Sequence, residues 1–413
     1  MIISREAISF GLIVFALLTA TFFIGIRRRG KREMVAGYTS DTLRKLLGFF
    51  TVAGVLCSLS DKLTIIFRPA PLPGLDILFY AFPIVAGGIL FFAGAYAIRL
   101  GRYKKVDLTR AGRALFFLVV LLLFGIMLFS YNVKVDLNWS KCIPFLFGRV
   151  YMGLIPLLLL MEFVLFLSYR ITKSEKASVI VTGILCVVLD ILFAVKSNGR
   201  TFRWIYMVMF LLGMLFIRYE KKITKILREK AYFLLPGALI LFGGIIFQEI
   251  TAALIRIRKE ESPFARDIPF EGHMYIHGTY IGPFSFDSVM FFLASLALVT
   301  VFVYITMYLK VFDCIYGFIS KFMYELCWVS VPVAYCLDLL ALNHMRQAYI
   351  STNITEKPGV TILHTTLNNV ATGSYLRYDQ YVLYILMVLV ISSAVSLVLY
   401  NPFRIIEKMR SEG

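Results

Sequence analysis

The sequence predicts an all-α integral membrane protein, a bundle of about eleven helices that each cross a bilayer. Of its 413 residues, 59% are hydrophobic and only 16% are charged, whereas an ordinary soluble domain carries roughly 25% charge. The aromatic share is 15%, which is typical of lipid-facing helices and of the aromatic belts at membrane surfaces. Lysine and arginine crowd every second connection between the apolar runs, as expected when alternate loops face the cytoplasm.

Each predicted span is an apolar run close to the length of about 20 residues that a helix needs to cross the hydrocarbon core. The run at 46–67 is weaker because it contains Asp61 and Lys62, and the run at 202–217 is short. The first run lacks an early basic region and a small-residue cleavage site, so we expect it to be retained as a span. The predicted spans lie near 6–26, 46–67, 76–98, 114–132, 145–169, 178–196, 202–217, 232–255, 284–309, 323–343 and 380–401.

The basic connections also predict the orientation. Clusters of lysine and arginine occupy the first, third and seventh connections, which places them inside the cell. The N-terminus is then outside and the C-terminus is cytoplasmic, and an odd number of spans agrees with both. We expect one membrane domain over residues 1–413, with two long outer loops at about 256–283 and 344–379. Long loops on a rigid bundle are where function tends to reside.

Composition also excludes several classes of function. A formal charge of +18 would suggest nucleic acid for a soluble protein, but the cytoplasmic loops of a membrane protein account for it, so we expect no nucleic-acid partner. The six cysteines include no CxxC pair, which argues against a disulfide framework or a zinc site. We therefore expect no metal and no cofactor.

All four histidines fall on the predicted outer side, where a side chain suited to proton transfer near neutral pH could act as a base. They are His273, His277, His344 and His364. The candidate catalytic residues are His273, His277 and His364, together with Asp287 at the outer end of its span. The alternative is that polar loops simply contain histidines.

The outer arginines oppose the positive-inside trend, so we expect a compensating role for them. The planar arginine fork binds phosphate and carboxylate with two hydrogen bonds. The segment KSNGRTFRW at 196–204 is the most specific local signal, a tight turn that brings two arginines to the bilayer surface. The alternative there is ordinary snorkelling to lipid headgroups. The candidate anion-binding residues are Arg200, Arg203, Arg256, Arg258, Arg266, Arg346 and Arg377.

Several acidic residues lie within or beside the apolar runs, where charge is costly and faces a partner or a cavity. Three interpretations stay open: pairing with arginine or lysine, service as a base, or a transport path, for which Glu162 and Asp338 are placed nearest mid-span. These acidic residues are Asp61, Glu162, Asp190, Glu249, Asp287 and Asp338.

The turn SNGRT between two apolar runs resembles the SxGR-type turn of bacterial O-antigen and oligosaccharide repeat-unit polymerases. The many short-looped spans and the two long arginine-containing outer loops are also similar to that family, although about eleven spans is fewer than its usual twelve or more. The resemblance implies a metal-independent glycosyltransferase at the outer face of the cytoplasmic membrane. Its substrate would be oligosaccharide units carried on undecaprenyl pyrophosphate within the membrane lipid, and a chain-length regulator would be a further partner.

By that resemblance, Arg200 and Arg203 would hold the pyrophosphate and stabilise the leaving group. Two other classes stay open. A membrane O-acyltransferase would fit the size and the C-terminal YNPFRIIEKMR, but it would require a histidine early in the chain, and none precedes His273. A transporter of lipid-linked saccharides would use the intramembrane acidic residues.

Overall fold

The computed structural model describes most of the helical part of the chain. The backbone is described over residues 20–21, 24, 26–30, 37–66, 75–104, 112–113, 115–120, 123, 150–196, 204–258, 275–276, 279–280, 286–310, 315–330, 332–334, 336–337 and 378–412. Side chains are described over the same residues except 58–66, 75–83, 150–156, 189–196, 204–206, 246–258, 275–276, 279–280, 286–289, 378–385 and 406–412.

Nearly all of the described chain is helical, which confirms the all-α class. The helices are α1 Ser40–Ile66, α2 Leu75–Arg99, α3 Val150–Thr172, α4 Glu175–Lys196, α5 Trp204–Arg218, α6 Glu220–Glu229, α7 Ala231–Arg258, α8 Phe286–Tyr308, α9 Ile315–Ile319 and α10 Tyr378–Glu412. Two-residue strands lie at β1 Arg27–Arg28, β2 Tyr275–Ile276, β3 Thr279–Tyr280 and β4 Leu309–Lys310. β1 pairs antiparallel with β4, and β2 pairs antiparallel with β3 as a hairpin.

Eight of these helices coincide with predicted spans, including the two weakest predictions, which form α1 and α5. Helix α1 begins before its apolar run because the Thr39 hydroxyl accepts a hydrogen bond from the backbone N–H of Thr42, 3.2 Å away, and so caps the first turn. Helix α10 continues through Pro402 to Glu412, beyond the predicted end near 401. The predicted spans near 6–26 and 114–132 fall mostly outside the described residues.

Two helical segments of the described chain are long and apolar enough to cross a membrane, at Met290–Tyr308 and Leu386–Ile405. Shorter apolar helical segments lie at Ile84–Arg99, Met207–Arg218, Ala231–Ile245 and Met323–Ala334. Length and composition thus support a membrane protein, while the number of crossings stays a prediction.

Exposed apolar faces agree with that class. On α4, Ile180, Ile184, Val187 and Val188 recur at helical spacing and are all exposed. On α7, the side chain of Ile240 is 75% exposed, and exposed residues lie on the same helix one and two turns before it. Continuous apolar surface of this kind is unfavourable in water and is what a helix presents to lipid.

Helix α2 lies at the centre of the bundle, packed against α1, α5 and α8. Its closest approach is to α5, where each helix offers a glycine to the other. A side chain at Gly94 would meet the backbone carbonyl of Phe210, and one at Gly213 would meet the backbone carbonyl of Phe91. Small residues let backbones approach closely, and they dominate helix interfaces in membranes, where lipid removes the hydrophobic drive for association.

Candidate functional site

One end of the bundle gathers the charged helix ends and their connections, and we call it the basic end. It holds the start of α1, the end of α2, the α3–α4 connection, the α5–α6 connection and the end of α8. These segments belong to connections that the sequence predicts to be cytoplasmic. Their contacts with one another, given below, show that they occupy one end of the molecule.

Tyr38 is a buried anchor of the basic end. Its backbone N–H donates a hydrogen bond to the Glu220 carboxylate. Its hydroxyl donates to the backbone carbonyl of Val303 at 2.5 Å and lies 3.0 Å from the Thr306 hydroxyl. Burial raises the pKa of Tyr38 well above its ordinary value, so the phenol stays protonated as a donor. One residue thereby connects the segment before α1 to both α6 and α8.

Glu220 reaches Tyr38 because residue 37 is a glycine. Gly37 has a φ of +78°, a conformation that favours glycine, and a Cβ there would collide with the Glu220 carboxylate. The same carboxylate lies 3.4 Å from the Arg99 guanidinium at the end of α2. Glu220 therefore holds together three segments that are distant in sequence.

Arg29 connects the segment before α1 to the end of α8 and to the first turn of α1. Its backbone N–H donates to the carbonyl of Tyr308 at 2.8 Å, next to the β1–β4 pairing. Its guanidinium donates to the Thr42 hydroxyl at 3.1 Å and lies 5.7 Å from the centre of the Tyr38 ring. The first connection is thus fixed by backbone and side-chain bonds.

Tyr103 ties the end of α2 to the start of α4. Its hydroxyl donates to the Glu175 carboxylate at 2.7 Å, and its ring meets that of Tyr169 edge-on. Burial, together with the hydrogen bond to that carboxylate, raises the pKa of Tyr103 to about 12. Because the start of α4 lies at the basic end, the end of α4 lies at the opposite end of the bundle.

A charged cavity of about 270 Å³ opens into this end. Among the described residues, four cations and two carboxylates line it beside apolar and aromatic side chains. The charged, hydroxyl and aromatic residues of this lining are Arg44, Arg102, Arg113, Lys321, Glu162, Glu325, Thr51, Ser320, Tyr96, Tyr324, Tyr400 and Trp328. Its volume lies near the lower limit of the roughly 300–1,000 Å³ of small-molecule sites.

The carboxylates of the cavity each face an arginine. Arg102 lies 3.0 Å from Glu162, and Arg113 lies 3.3 Å from Glu325, whose side chain is only 1% exposed. Arg113 also stacks over the ring of Phe403, 4.9 Å from its centre. For Glu162, the structure therefore favours pairing with arginine over the other interpretations offered by the sequence.

An aromatic wall backs the cavity. The ring of Trp328 is stacked on that of Phe117, with centroids 6.0 Å apart and planes inclined by 11°. Trp328 is 2% exposed, and its indole N–H has no hydrogen-bond partner among the described residues. A buried donor without an acceptor costs free energy.

The residues predicted to form the outer site are not among the described side chains. His273, His277, His344, His364, Arg200, Arg203, Arg266, Arg346 and Arg377 lie outside the described residues. For Arg256, Arg258 and Asp287, only the backbone is described. The first two end α7, whose 28 residues span roughly 40 Å, so they lie far from the basic end at which α7 starts.

The cavity was not predicted from the sequence. Arg44, Arg102 and Arg113 belong to the basic first and third connections, which served only to predict orientation, and Glu325 and Trp328 were not among the candidate residues. A usable signal was present, because Glu325 lies within the predicted apolar span 323–343, and an intramembrane carboxylate requires a partner. Among the described residues, no group of three or more His, Cys, Asp and Glu could hold a metal ion.

Comparison of the chain with protein-family models, with curated proteins and with solved structures finds no match.

Proposed function

We propose that this chain is a multi-pass protein of the bacterial cytoplasmic membrane that polymerises oligosaccharide repeat units carried on undecaprenyl pyrophosphate. One observation carries the proposal: the SNGRT segment, with Arg200 as its arginine, follows the end of α4 and precedes the start of α5, and both of these helix ends lie opposite the basic end. Helix α4 begins at Glu175 and ends at Lys196, and α5 begins at Trp204 and ends at Arg218, beside Glu220. If the basic end is cytoplasmic, as the positive-inside rule predicts, this segment belongs to the outer side.

Apolar surface supports the membrane part of the proposal. The candidate spans Met290–Tyr308 and Leu386–Ile405, together with the exposed apolar faces of α4 and α7, are suited to lipid. A substrate with a polyprenyl tail would lie in that lipid and present its pyrophosphate at the outer surface.

The proposed reaction is a glycosyl transfer. A hydroxyl of the incoming unit attacks the anomeric carbon of the growing chain, and the bond from that carbon to the pyrophosphate oxygen breaks. The lipid pyrophosphate leaves with the electron pair, and a base takes the hydroxyl proton, for which His273, His277, His364 and Asp287 are the candidates. Arg200 and Arg203 would neutralise charge on the leaving pyrophosphate, a role that needs no metal. Arg256 and Arg258 would assist from the end of α7, and Arg266, Arg346 and Arg377 from the predicted outer loops.

Replacement of Arg200 by alanine tests the proposal. We expect cells with Arg200→Ala to lose long surface polysaccharide chains on a gel while single repeat units are still made. Arg200→Lys should retain part of the activity, because lysine keeps the charge but loses the two-pronged contact. Arg228→Ala is the matched control, since Arg228 is exposed on α6 at the basic end.

Normal chain lengths in Arg200→Ala cells with intact protein levels would refute the role of Arg200. The alternative classes give different results in cells that lack the protein. An acyltransferase would leave chain length unchanged but remove acetyl signals from glycan NMR spectra. A transporter of lipid-linked saccharides would leave complete units at the cytoplasmic face.

A further inference from the structure

Helix α6 is a short charged helix between two apolar ones. Helix α5 ends at Arg218, and α7 begins at Ala231. The backbone leaves the helical conformation at Tyr219 and at Lys230, where ψ is 20° and 19°, so these two residues bound α6. If α5 and α7 lie in the bilayer, as proposed above, the helix that joins them lies at the bilayer surface.

One side of α6 is fixed to the protein. Glu220 and Leu227 are buried, and Ile223 packs against the core. The Glu220 carboxylate lies 3.4 Å from Arg99 and accepts a hydrogen bond from the backbone N–H of Tyr38. Because Glu220, Ile223 and Leu227 follow one another at intervals of three and four residues, they share one side of the helix. The other sides of α6 therefore face away from the protein.

A second side of α6 combines apolar and basic side chains. Four exposed residues recur there at intervals of three, four and four residues, which places them on one side of the helix. We call this set the α6 stripe: Tyr219, Lys222, Ile226 and Lys230. Just beyond it, at the start of α7, Tyr232 is 83% exposed and Phe233 is 72% exposed. Aromatic and apolar side chains interleaved with lysine are typical of a helix that lies in the membrane–water interface.

The lysines of the α6 stripe have no carboxylate to neutralise them. Residues 218–230 contain six basic and two acidic residues. Both acidic residues have other partners, because Glu220 faces Arg99 and Glu229 lies 3.8 Å from Lys225. Within the part of the chain that the structure describes, Lys222 and Lys230 form no ion pair. Exposed cations next to exposed apolar side chains match a partner that is both anionic and apolar.

We propose that the α6 stripe binds the headgroups of anionic phospholipids at the bilayer surface. Lys222 and Lys230 contact the lipid phosphates, and Ile226 and the neighbouring tyrosines lie at the boundary between headgroups and acyl chains. A phospholipid is favoured over an acidic protein because headgroups are already present at the depth where α5 ends and α7 begins. The inference rests on the membrane part of the proposed function and does not depend on polymerisation.

A photoreactive side chain in place of Ile226 identifies what the α6 stripe contacts. Benzoylphenylalanine at this position lies one helical turn from each of the two lysines, and illumination joins it to the molecule beside it. The full-length protein is placed in nanodiscs that contain equal amounts of phosphatidylcholine and phosphatidylglycerol with identical acyl chains, and adducts are identified by mass spectrometry. We expect phosphatidylglycerol adducts to exceed phosphatidylcholine adducts by about fivefold or more, since each basic residue near an anionic surface contributes roughly that factor.

Removal of the two lysines tests the contact directly. Lys222→Gln/Lys230→Gln should bring the ratio of the two lipid adducts close to one. High salt should lower the same ratio while both lysines are present, because it screens exposed charges. Lys173→Gln/Lys176→Gln is the matched control, since it removes two exposed lysines from the α3–α4 connection at the same end of the bundle. We expect this control to keep the preference for phosphatidylglycerol.

A second probe separates this inference from the membrane proposal. Ile240 lies on the apolar face of α7 and is 75% exposed, so benzoylphenylalanine there should give adducts of both lipids without preference. Absence of lipid adducts at position 240 would count against the membrane part of the proposed function. Normal lipid adducts at position 240, together with equal amounts of the two lipids at position 226, would overturn the α6 stripe while leaving that function intact.

Three further results would overturn the proposal. One is a preference for phosphatidylglycerol that survives Lys222→Gln/Lys230→Gln, and another is loss of the preference in the Lys173→Gln/Lys176→Gln control. The third is an adduct with an acidic protein, in place of lipid, when the probe at position 226 is illuminated in native membranes. Failure of the Arg200→Ala test would leave all of these measurements unchanged, because none of them requires polysaccharide synthesis.

Discussion

The close glycine contact between α2 and α5 predicts that the change from glycine to alanine destabilises the protein at this contact but not at an exposed helical position. Alanine is the better helix former by roughly 0.8–1.0 kcal/mol, so Gly→Ala within a helix stabilises wherever there is space. At Gly213 there is none. A Cβ at that position would lie 2.8 Å from the carbonyl carbon of Phe91 and 3.0 Å from the backbone nitrogen of Ala95. Both atoms belong to the backbone of α2 and cannot rotate away.

The size of the effect follows from the distance that the helices must move. The nearest atom is the carbonyl oxygen of Phe91, 1.9 Å from the Cβ position, whereas ordinary contact begins at 3.4 Å, so α2 and α5 must separate by about 1.5 Å. A gap of 0.5–1 Å already forfeits about a quarter to a half of the dispersion energy across the contact. Overpacking of a tight interface costs about 1–3 kcal/mol, occasionally more, and a displacement of this size belongs at the upper end of that range. We expect Gly213→Ala to destabilise the protein by about 2 kcal/mol or more after the gain in helix propensity.

Gly243→Ala is the matched control, because Gly243 lies inside α7 and a Cβ there has no atom within 4 Å. We expect this variant to be unchanged or more stable by less than about 1 kcal/mol. Both variants are purified in the same detergent, and unfolding is followed by circular dichroism during titration with SDS. Equal stability of Gly213→Ala and the wild type would refute the close packing of α2 on α5.

Three further outcomes are expected at the basic end, each measured in the same unfolding assay. Gly37→Ala should lower stability by about 1–3 kcal/mol, because it combines a left-handed φ with a collision at the Glu220 carboxylate; equal stability would show that Glu220 does not approach residue 37. Charge reversal at either partner of the Arg102–Glu162 pair, Arg102→Glu or Glu162→Arg, should destabilise the protein. The double variant that carries both changes should recover part of that loss of stability, whereas simple addition of the two losses would show that the pair does not form. Partial burial raises the pKa of Asp41, but hydrogen bonds and charges from Lys45 and Arg44 outweigh it and lower that pKa below its ordinary value of 3.8. The ionised carboxylate therefore stabilises the folded protein above pH 3.8, and this stabilisation is lost as the pH falls below that value. Since this carboxylate is half exposed, the free energy of unfolding of the Asp41→Asn variant should differ from that of the wild type by less than about 1 kcal/mol at neutral pH. The free energy of unfolding should also fall less steeply with acid in this variant than in the wild type.

Helix positions could be predicted from the sequence wherever an apolar run is long and bounded by polar residues. Helix α8 was predicted at 284–309 and is observed at Phe286–Tyr308. The same method missed α6, Glu220–Glu229, because its charged residues suggest a loop. This short helix is amphipathic, and it is held at the surface by buried Leu227 and by the bonds of Glu220. The length of an apolar run predicts a membrane span, but it does not predict a short charged helix between two spans.

The charged cavity could not be predicted for a different reason. Its ion pairs join residues 60 positions apart, as for Arg102 and Glu162, or more than 200 apart, as for Arg113 and Glu325. A single sequence indicates that intramembrane charge needs a partner, but many cations are available at the same membrane depth. Only the packing of α2 with α1 and α3 selects among them. The outer site remains a prediction based on residue type and topology.

The bonds of Tyr38 also bear on the order in which the protein is made. Its acceptor in α8, the carbonyl of Val303, follows it by 265 residues. At roughly 5–20 residues per second, synthesis of that interval takes about a quarter of a minute to a minute. During this time Tyr38 lacks its hydrogen-bond partners in α6 and α8. Nascent chains that stop before α8 therefore lack both contacts of the Tyr38 hydroxyl, so the packing of the basic end is completed only late in synthesis.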